Sequence, residues 1–346
     1  MLVLGEDEKE IITLPAGETR EQVFLDGEPE RVHIDAGGVV VLSGESEHFA
    51  ISPRFLLYSA ALHDSENGVG YPSTEILESM ELPNEEIYPV QIRQKTDPAI
   101  TGLTVIGQQS RELPWRVMKS MWDGDALHVK HCQGHLEVSR VFWDNVEDGL
   151  GPLEGLESWS IRDSAMRYIR DDAIENDDLI PGEIVNCLID GCFTFLSQRA
   201  EPPRRVGIVT SIRDSLIHVQ AQPHDGIPGK QWRDRQIRMG EDGIGRAPGM
   251  LFKWERGAGE VNMRDCVVLV DEVSVNGEGD MEFPQGNYAN VVLVWKGRGR
   301  YPRPLPEGVR LATDRQVWEE ARAAWIDRLD PGHPAAKYLK RTADSE

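Results

Sequence analysis

The sequence has few cysteines, no long apolar stretch and too few cationic residues to balance its acids. Its four cysteines, in 346 residues, include no C-x-x-C pair, which excludes a disulfide scaffold and argues against a structural zinc site. No apolar run approaches the roughly 20 residues that a membrane helix needs, so we expect no membrane partner. The 37 Lys and Arg against 59 Asp and Glu leave a net charge of −22, which repels nucleic acid phosphates. Nucleic acid is therefore not an expected partner either.

The amino-terminal stretch MLVLGEDEKE lacks the basic and apolar regions of a signal peptide. The chain is then either cytoplasmic or secreted with its leader removed. Both localisations stay open, as does the oligomeric state.

An internal repeat dominates the middle of the chain. The pentapeptide Ser-Ile-Arg-Asp-Ser occurs at 160–164 and again at 211–215, and Arg264-Asp265 follows at the same spacing of 51 residues. Related sequences lie between these copies, so the repeating unit is 23 to 28 residues long. Each unit has an Asp or Asn before a short β-branched stretch. Short strands at this spacing, with no helical period between them, are typical of a solenoid. The sequence predicts an all-β fold, a single-stranded right-handed parallel β-helix.

The repeated Asp and Asn residues have a structural interpretation. Their short side chains bond to nearby backbone and tolerate left-handed conformations, so we expect them to stack at one corner of successive coils. They are Asp163, Asn186, Asp214, Asp265 and Asn290.

Two parts are predicted along the chain. Residues 1–300 form the parallel β-helix, with loop excursions near 64–98 and 221–249 as candidate walls of a groove. Residues 301–346 form a C-terminal extension, in which Trp318 and Trp325 belong to an amphipathic helical pattern. An open solenoid end exposes apolar core, so we expect this α-helix to cap it, with both tryptophans packed inside.

Longer strings carry a resemblance to a known family. VFWDNVEDGLGP, RYIRDDAIENDDLIPG and IVNCLIDGCFTFLS, between Gly134 and Arg199, resemble bacterial right-handed β-helix proteins of the pectin-lyase-like superfamily, in particular an uncharacterised branch of it. MLFKW at 250–254, NVVLVWKGRGRYPRPLP and the terminal helix extend the resemblance over most of the chain. Members of known activity mostly cleave polysaccharides, as calcium-dependent lyases of uronic-acid polymers or as inverting hydrolases of pectin. The resemblance thus implies a carbohydrate-active β-helix.

The motifs of those enzymes are not met. Polygalacturonases carry paired aspartates, then Gly-His-Gly and Arg-Ile-Lys, whereas here Gly134-His135 precedes Asp171-Asp172 and no Arg-Ile-Lys exists. The Trp-Ile-Asp-His signature of pectate lyases is also absent. No catalytic residue can be transferred by motif.

Register offers a separate argument for a site. Aligning successive coils places Glu147 and Asp148 over Asp171 and Asp172, whereas Thr194 follows on the next coil. Parallel strands lie about 4.8 Å apart, so Asp148 and Asp172 are expected within range of each other. Two such carboxylates share a proton, bind a cation or point into water.

The cation alternative suggests calcium. Ca²⁺ takes six to eight oxygen ligands, and the expected metal ligands are Glu147, Asp148, Asp171, Asp172 and Glu175. In a lyase the ion would neutralise a uronate and acidify its α-proton, with a cationic side chain as base or stabiliser. The candidates for that cationic partner are Arg167, Arg170 and Lys253.

Two alternatives stay beside metal-assisted β-elimination. In a glycoside hydrolase, one carboxyl of the Asp148 and Asp172 pair donates a proton and the other activates water or attacks the sugar. In a non-catalytic binding or assembly module, the acids are ordinary surface groups. An enzyme acting on a polysaccharide or oligosaccharide is the favoured hypothesis.

Further residues are candidates for substrate binding. Flat aromatic faces stack on sugars, and the second excursion carries a small basic island suited to an anionic ligand. The candidate substrate-binding residues are Trp143, His218, Arg233, Arg235 and Trp254.

Overall fold

Most of the chain lies in short β-strands. The computed structural model describes residues 11–14, 19–22, 31–34, 39–42, 49–51, 56–59, 90–93, 96–107, 111–112, 115, 125–198, 207–223, 238–239, 245–254, 259–271, 282–297 and 299–340. The first strands are β1 Ile11–Leu14, β2 Thr19–Gln22, β3 Arg31–Ile34, β4 Val39–Leu42, β5 Phe49–Ile51, β6 Leu56–Ser59, β7 Val90–Arg93, β8 Pro98–Thr101 and β9 Thr104–Gly107.

The later strands are longer on average and are followed by two helices. The strands are β10 Leu127–Lys130, β11 His135–Ser139, β12 Phe142–Asp144, β13 Leu150–Leu153, β14 Ser158–Arg162, β15 Ala165–Glu175, β16 Gly182–Val185, β17 Leu188–Gln198, β18 Val209–Arg213, β19 Leu216–Val219, β20 Gln222–Pro223, β21 Arg238–Met239, β22 Gly245–Ala247, β23 Met250–Trp254, β24 Glu260–Val270, β25 Tyr288–Trp295 and β26 Val309–Ala312. The helices are α1 Gln316–Asp327 and α2 Ala336–Leu339. Among the described residues, no helix is long and apolar enough to cross a membrane.

One large parallel sheet joins the strands, and its register follows the sequence repeat. Strand β11 pairs with β14, β14 with β16, β16 with β18 and β18 with β24, all in parallel. Equivalent positions therefore stack on one another, as in the buried apolar column Val138, Ile161, Ile184, Ile212 and Met263. This stacking confirms that residues one repeat apart become neighbours.

The predicted corner is confirmed. Asp163, Asn186, Asp214, Asp265 and Asn290 all have positive φ, between 47° and 54°. The Asn186 amide donates a hydrogen bond of 2.6 Å to Asp163 Oδ1, and the Asn290 amide donates one of 2.7 Å to Asp265 Oδ1. The short polar side chains thus satisfy one another across adjacent repeats, which is a structural role.

The predicted boundaries need correction. Strand β7 pairs with β4 and β10, and β8 pairs with β5, so residues 90–93 and Pro98 belong to the sheet and not to the first excursion, whose residues 64–89 lie outside the described residues. Strands β20, β21 and β22 pair antiparallel as a small separate sheet within the second excursion. The large sheet also continues past residue 300, because β26 pairs with β25.

Helix α1 lies along the side of the sheet and not over its end. Its buried Trp318 and Trp325 pack with side chains contributed by successive repeats: Phe142, Ala165, Leu188, Leu216, Leu269 and Val294. The prediction that this helix caps the open end of the solenoid is therefore wrong. The amphipathic pattern requires that one face of the helix be buried. The apolar column formed by these side chains offers that face more partners than one sheet edge does. Both tryptophans are core residues, as predicted.

Candidate functional site

Three aspartates and a glutamate lie together where β13, β15, β17 and β23 run side by side. The acidic cluster, as defined here, comprises Asp148, Asp171, Asp172 and Glu175. Leu150 on β13 pairs with Ile174 on β15. Asp148 lies two residues before Leu150 and Asp172 lies two residues before Ile174, so the two aspartates are neighbours. The predicted stacking of these two carboxyl groups is confirmed.

The carboxyl groups of this cluster approach closely. One oxygen from each of Asp148, Asp171 and Asp172 lies within 4.8 Å of the others. The backbone N–H of Asp172 donates to Asp148 Oδ1 at 2.6 Å. Asp148 is 8% exposed and Asp172 only 1%. So many acids in so little water cannot all be ionised without a compensating cation or proton.

Lys253 supplies one compensating charge. Its Nζ donates to Asp172 Oδ2 at 2.6 Å, and the two side chains are 11% and 1% exposed. Strand β23 brings it there, because Glu175 pairs with Ser197 and Ser197 pairs with Lys253. Burial lowers the pKa of Lys253, but Asp172 and Asp171 outweigh it, so the pKa is raised above its ordinary value. Lys253 therefore stays an ammonium ion.

Protons compensate the other charges. Burial first, and then the neighbouring Glu175 and Asp171, raise the pKa of Asp148 well above its ordinary value. Burial and the Asp172 charge likewise raise the pKa of Glu175 to about 8. At neutral pH Glu175 is thus mainly protonated, and the raised pKa of Asp148 favours its protonated form beside the ion pair of Asp172 with Lys253.

Two buried oxygen atoms at this point have no hydrogen-bond partner among the described residues. They are Asp172 Oδ1 and Thr194 Oγ1, and Thr194 is the strand neighbour of Asp172. Both side chains are at least 99% buried. A bound water, a hydroxyl group of a ligand or a hard cation would satisfy these oxygen atoms.

The structure also places residues at the acidic cluster that no sequence pattern indicated. The Trp115 indole N–H donates to Asp171 Oδ2 at 3.0 Å from 56 residues away. Asp125, which is buried and bonded to His128 at 2.8 Å, contributes to the raised pKa of Asp148. Register predicts Thr194 as the next member of the column. No sequence signal links Trp115 to the acidic cluster.

Glu147, Arg167 and Arg170, which are also predicted as metal-binding or catalytic residues, each have different surroundings. Glu147 is 1% exposed, and its backbone carbonyl accepts a hydrogen bond from the N–H of Asp171. Arg167 is held by Asp144 through hydrogen bonds of 3.1 and 2.5 Å. The Arg170 guanidinium is buried, 5.6 Å from the centre of the Tyr168 ring. Lys253, the third predicted cationic residue, forms an ion pair with Asp172 of the acidic cluster.

The predicted substrate-binding residues are not gathered at this cluster. Trp143 is fully buried in the core, and Trp254 packs edge-on against Phe252 with ring centres 6.1 Å apart. His218 is 6% exposed and lies under helix α1. Arg233 and Arg235 lie outside the described residues. Trp143 and Trp254 pack with the hydrophobic core, and His218 is held by two carboxylates, so their residue types alone do not indicate a sugar site.

Comparison with known proteins adds no family assignment. No family model matches this sequence, and a search of curated proteins found no match to it.

Proposed function

We propose that this chain is a right-handed parallel β-helix of the pectin-lyase-like superfamily that binds and cleaves a polysaccharide or oligosaccharide through the Asp148 and Asp172 carboxyl pair. The observation that carries this proposal is the asymmetry of the pair. Asp148 has a raised pKa, and Asp172 is ion-paired with Lys253. Neighbouring carboxyl groups with separated protonation states are the basis of acid–base assignment in glycoside hydrolases.

The winding is part of the proposal. Strands β10, β11 and β12 are followed by β13, β14 and β15, and each pairs in parallel with its counterpart one repeat later. Parallel neighbours joined by crossovers favour a right-handed path. A continuous buried core from Ile92 to Trp295 supports closure of these repeats around one interior.

The proposed chemistry uses groups of this chain. Asp148 Oδ1 accepts the N–H of Asp172, which leaves Oδ2 to carry the proton. Asp148 and Asp172 are 8% and 1% exposed, so the proposal requires that the cluster open to admit the sugar. In the opened site that proton passes to the glycosidic oxygen as the bond to the sugar breaks, while the Asp172 carboxylate attacks the anomeric carbon. Water then releases the sugar and Asp148 takes the proton from this water. Oxygens within 4.8 Å are closer to the spacing of retaining enzymes, about 5 to 5.5 Å, than to that of inverting enzymes. The expected product retains its anomeric configuration.

Calcium and β-elimination form the second candidate. Asp148, Asp171 and Asp172 would hold the ion, and the unpartnered Asp172 Oδ1 fits an oxygen-only site for a hard cation. Bound there, calcium would neutralise the carboxylate of a uronic acid. The proton acceptor is the weaker part of this version, because the raised pKa of Lys253 makes it a poor base.

Hydrolysis of defined oligosaccharides tests the proposal. We expect the wild-type protein to release reducing ends from a neutral or uronic-acid substrate, and Asp148→Asn and Asp172→Asn each to lower the rate at least about 100-fold, as loss of a catalytic acid or nucleophile does. The matched control is Asp214→Asn, an exposed corner residue outside the cluster. It should keep the wild-type rate.

The same assay distinguishes the alternatives. Ultraviolet absorbance from unsaturated products that disappears with a chelator would identify calcium-dependent elimination instead. Absence of any product across neutral and anionic polysaccharides would contradict both enzymatic versions and favour a binding or assembly module.

A further inference from the structure

His218 lies between two carboxylates that belong to different repeats. Its Nε2 is 2.7 Å from Asp271 Oδ2, and its Nδ1 is 3.5 Å from Asp190 Oδ1. The imidazole is buried, with 6% of the residue exposed. A neutral imidazole carries one N–H, whereas a protonated one carries two and satisfies both carboxylates.

Helix α1 completes this group from above. Arg322 Nε donates to Asp190 Oδ2 at 2.7 Å, and Arg315 Nη1 lies 3.3 Å from Asp271 Oδ1. The Trp318 ring covers His218, with ring centres 5.6 Å apart. Each carboxylate therefore binds the histidine on one side and a helix arginine on the other, so the sheet and the helix share one ion network.

We propose that this network is a pH-sensitive latch, in which protonated His218 holds helix α1 on the sheet and deprotonation loosens it. When His218 loses its second proton, a ring lone pair faces a carboxylate oxygen in a buried site. The two carboxylates then hold the helix arginines in a less favourable arrangement. Loosening of the helix would expose the apolar column that contains Phe142, Leu188 and Leu216.

The electrostatics give the direction of the switch. Burial lowers the pKa of His218, but the hydrogen bonds to Asp190 and Asp271 outweigh it and raise the pKa above its ordinary value. A raised histidine pKa stabilises the docked state fully below about pH 6.5 and ceases to do so as pH rises through the folded pKa. Among the described residues, Arg167 is the strand neighbour of Asp190 and interacts with its charge. The further charged groups of this network are Arg315, Arg322, Asp190, Asp271, Lys296, which acts on Asp271, and Glu319, which pairs with Arg315 at 3.2 Å.

A second histidine near the helix titrates in another range. His333 donates from Nε2 to the Asp163 carbonyl at 2.6 Å, and its Nδ1 accepts the N–H of Ala335. Burial lowers the pKa of His333, so it stays neutral above pH 6.5. A comparison between pH 6.5 and pH 9 therefore avoids the titration of His333. The His218→Gln variant separates the effect of His218 from that of Glu175, whose pKa is about 8.

Hydrogen exchange of the helix amides tests the latch. After correction for the intrinsic exchange rate, we expect protection of residues 316–327 to fall at least about threefold between pH 6.5 and pH 9, as loss of one hydrogen bond to a buried carboxylate produces. His218→Gln should remove this pH dependence. His135→Gln, which changes an exposed histidine bonded to Ser158 and Ser160, should retain it.

Two results would overturn the proposal. One is equal helix protection at both pH values in the wild-type protein. The other is a full pH response in His218→Gln. Should that variant fail to fold, Asp271→Asn gives the same test, because it removes one carboxylate and should weaken the pH response at least threefold; an unchanged response would contradict the latch.

Discussion

Lys253→Met is expected to destabilise the protein by about 3 to 5 kcal/mol at pH 7. Lys253 is the observed ion-pair partner of Asp172 in the acidic cluster, and their side chains are 11% and 1% exposed. Removal of one member of a buried ion pair leaves the other charge without compensation, and this costs far more than the pair contributes to stability. Urea unfolding of the wild type and the variant measures the difference.

Two further variants identify the cause of that loss. Lys253→Met combined with Asp172→Asn should recover most of the stability, since neither charge then remains unpaired. Arg310→Met, at an exposed arginine on β26, should change stability by no more than about 0.5 kcal/mol. A stable Lys253→Met protein at pH 7 would show that Asp172 is not held as a carboxylate.

Trp143→Ala is expected to cost about 3 to 5 kcal/mol of stability, as truncation of a buried tryptophan does. Trp143 lies on β12 between Val105 and Met166 of the neighbouring strands, and it is fully buried. A tryptophan that stacks on a sugar at the surface would instead lose little stability on truncation. Thermal or urea unfolding distinguishes these two roles directly.

Trp143→Phe is the matched control. The indole N–H of Trp143 has no hydrogen-bond partner among the described residues, so phenylalanine removes an unsatisfied donor while it keeps most of the apolar contact. We expect a cost of about 1 to 2 kcal/mol. Near-wild-type stability of Trp143→Ala would contradict the core position.

Repeat periodicity made the main features of the fold and of the site predictable. The spacing of Asp163, Asn186 and Asp214 gave the corner, and the same register placed Asp148 beside Asp172. This inference succeeds because parallel strands in register turn a fixed sequence spacing into a fixed spatial neighbour. Side chains that depend on register alone can therefore be placed from the sequence.

Contacts between distant segments were not predictable in this way. Trp115 reaches Asp171, and helix α1 reaches Asp190 and Asp271, through packing that no repeat encodes. An amphipathic pattern shows that α1 buries one face, yet it does not say which surface receives that face. The burial of the acidic cluster escaped prediction for the same reason, because runs of acids are ordinarily solvated.

The central claim is that burial and mutual repulsion keep protons in the acidic cluster at neutral pH. Glu175 is the sharpest reporter, since burial and the Asp172 charge raise its pKa from 4.5 to about 8. Because the folded state then binds the proton more tightly, stability should fall as pH rises from about 4.5 to 8, by about 1.4 kcal/mol per pH unit for each such proton.

A carbon-13 NMR titration of the side-chain carboxyl groups measures this pKa directly, with Glu175→Gln to assign the resonance. We expect Glu175 to titrate near pH 8 and Lys253→Met to raise this value further, because the Lys253 charge lowers the pKa of Glu175. Titration of Glu175 near pH 4.5 would instead show that the cluster is ionised and solvated.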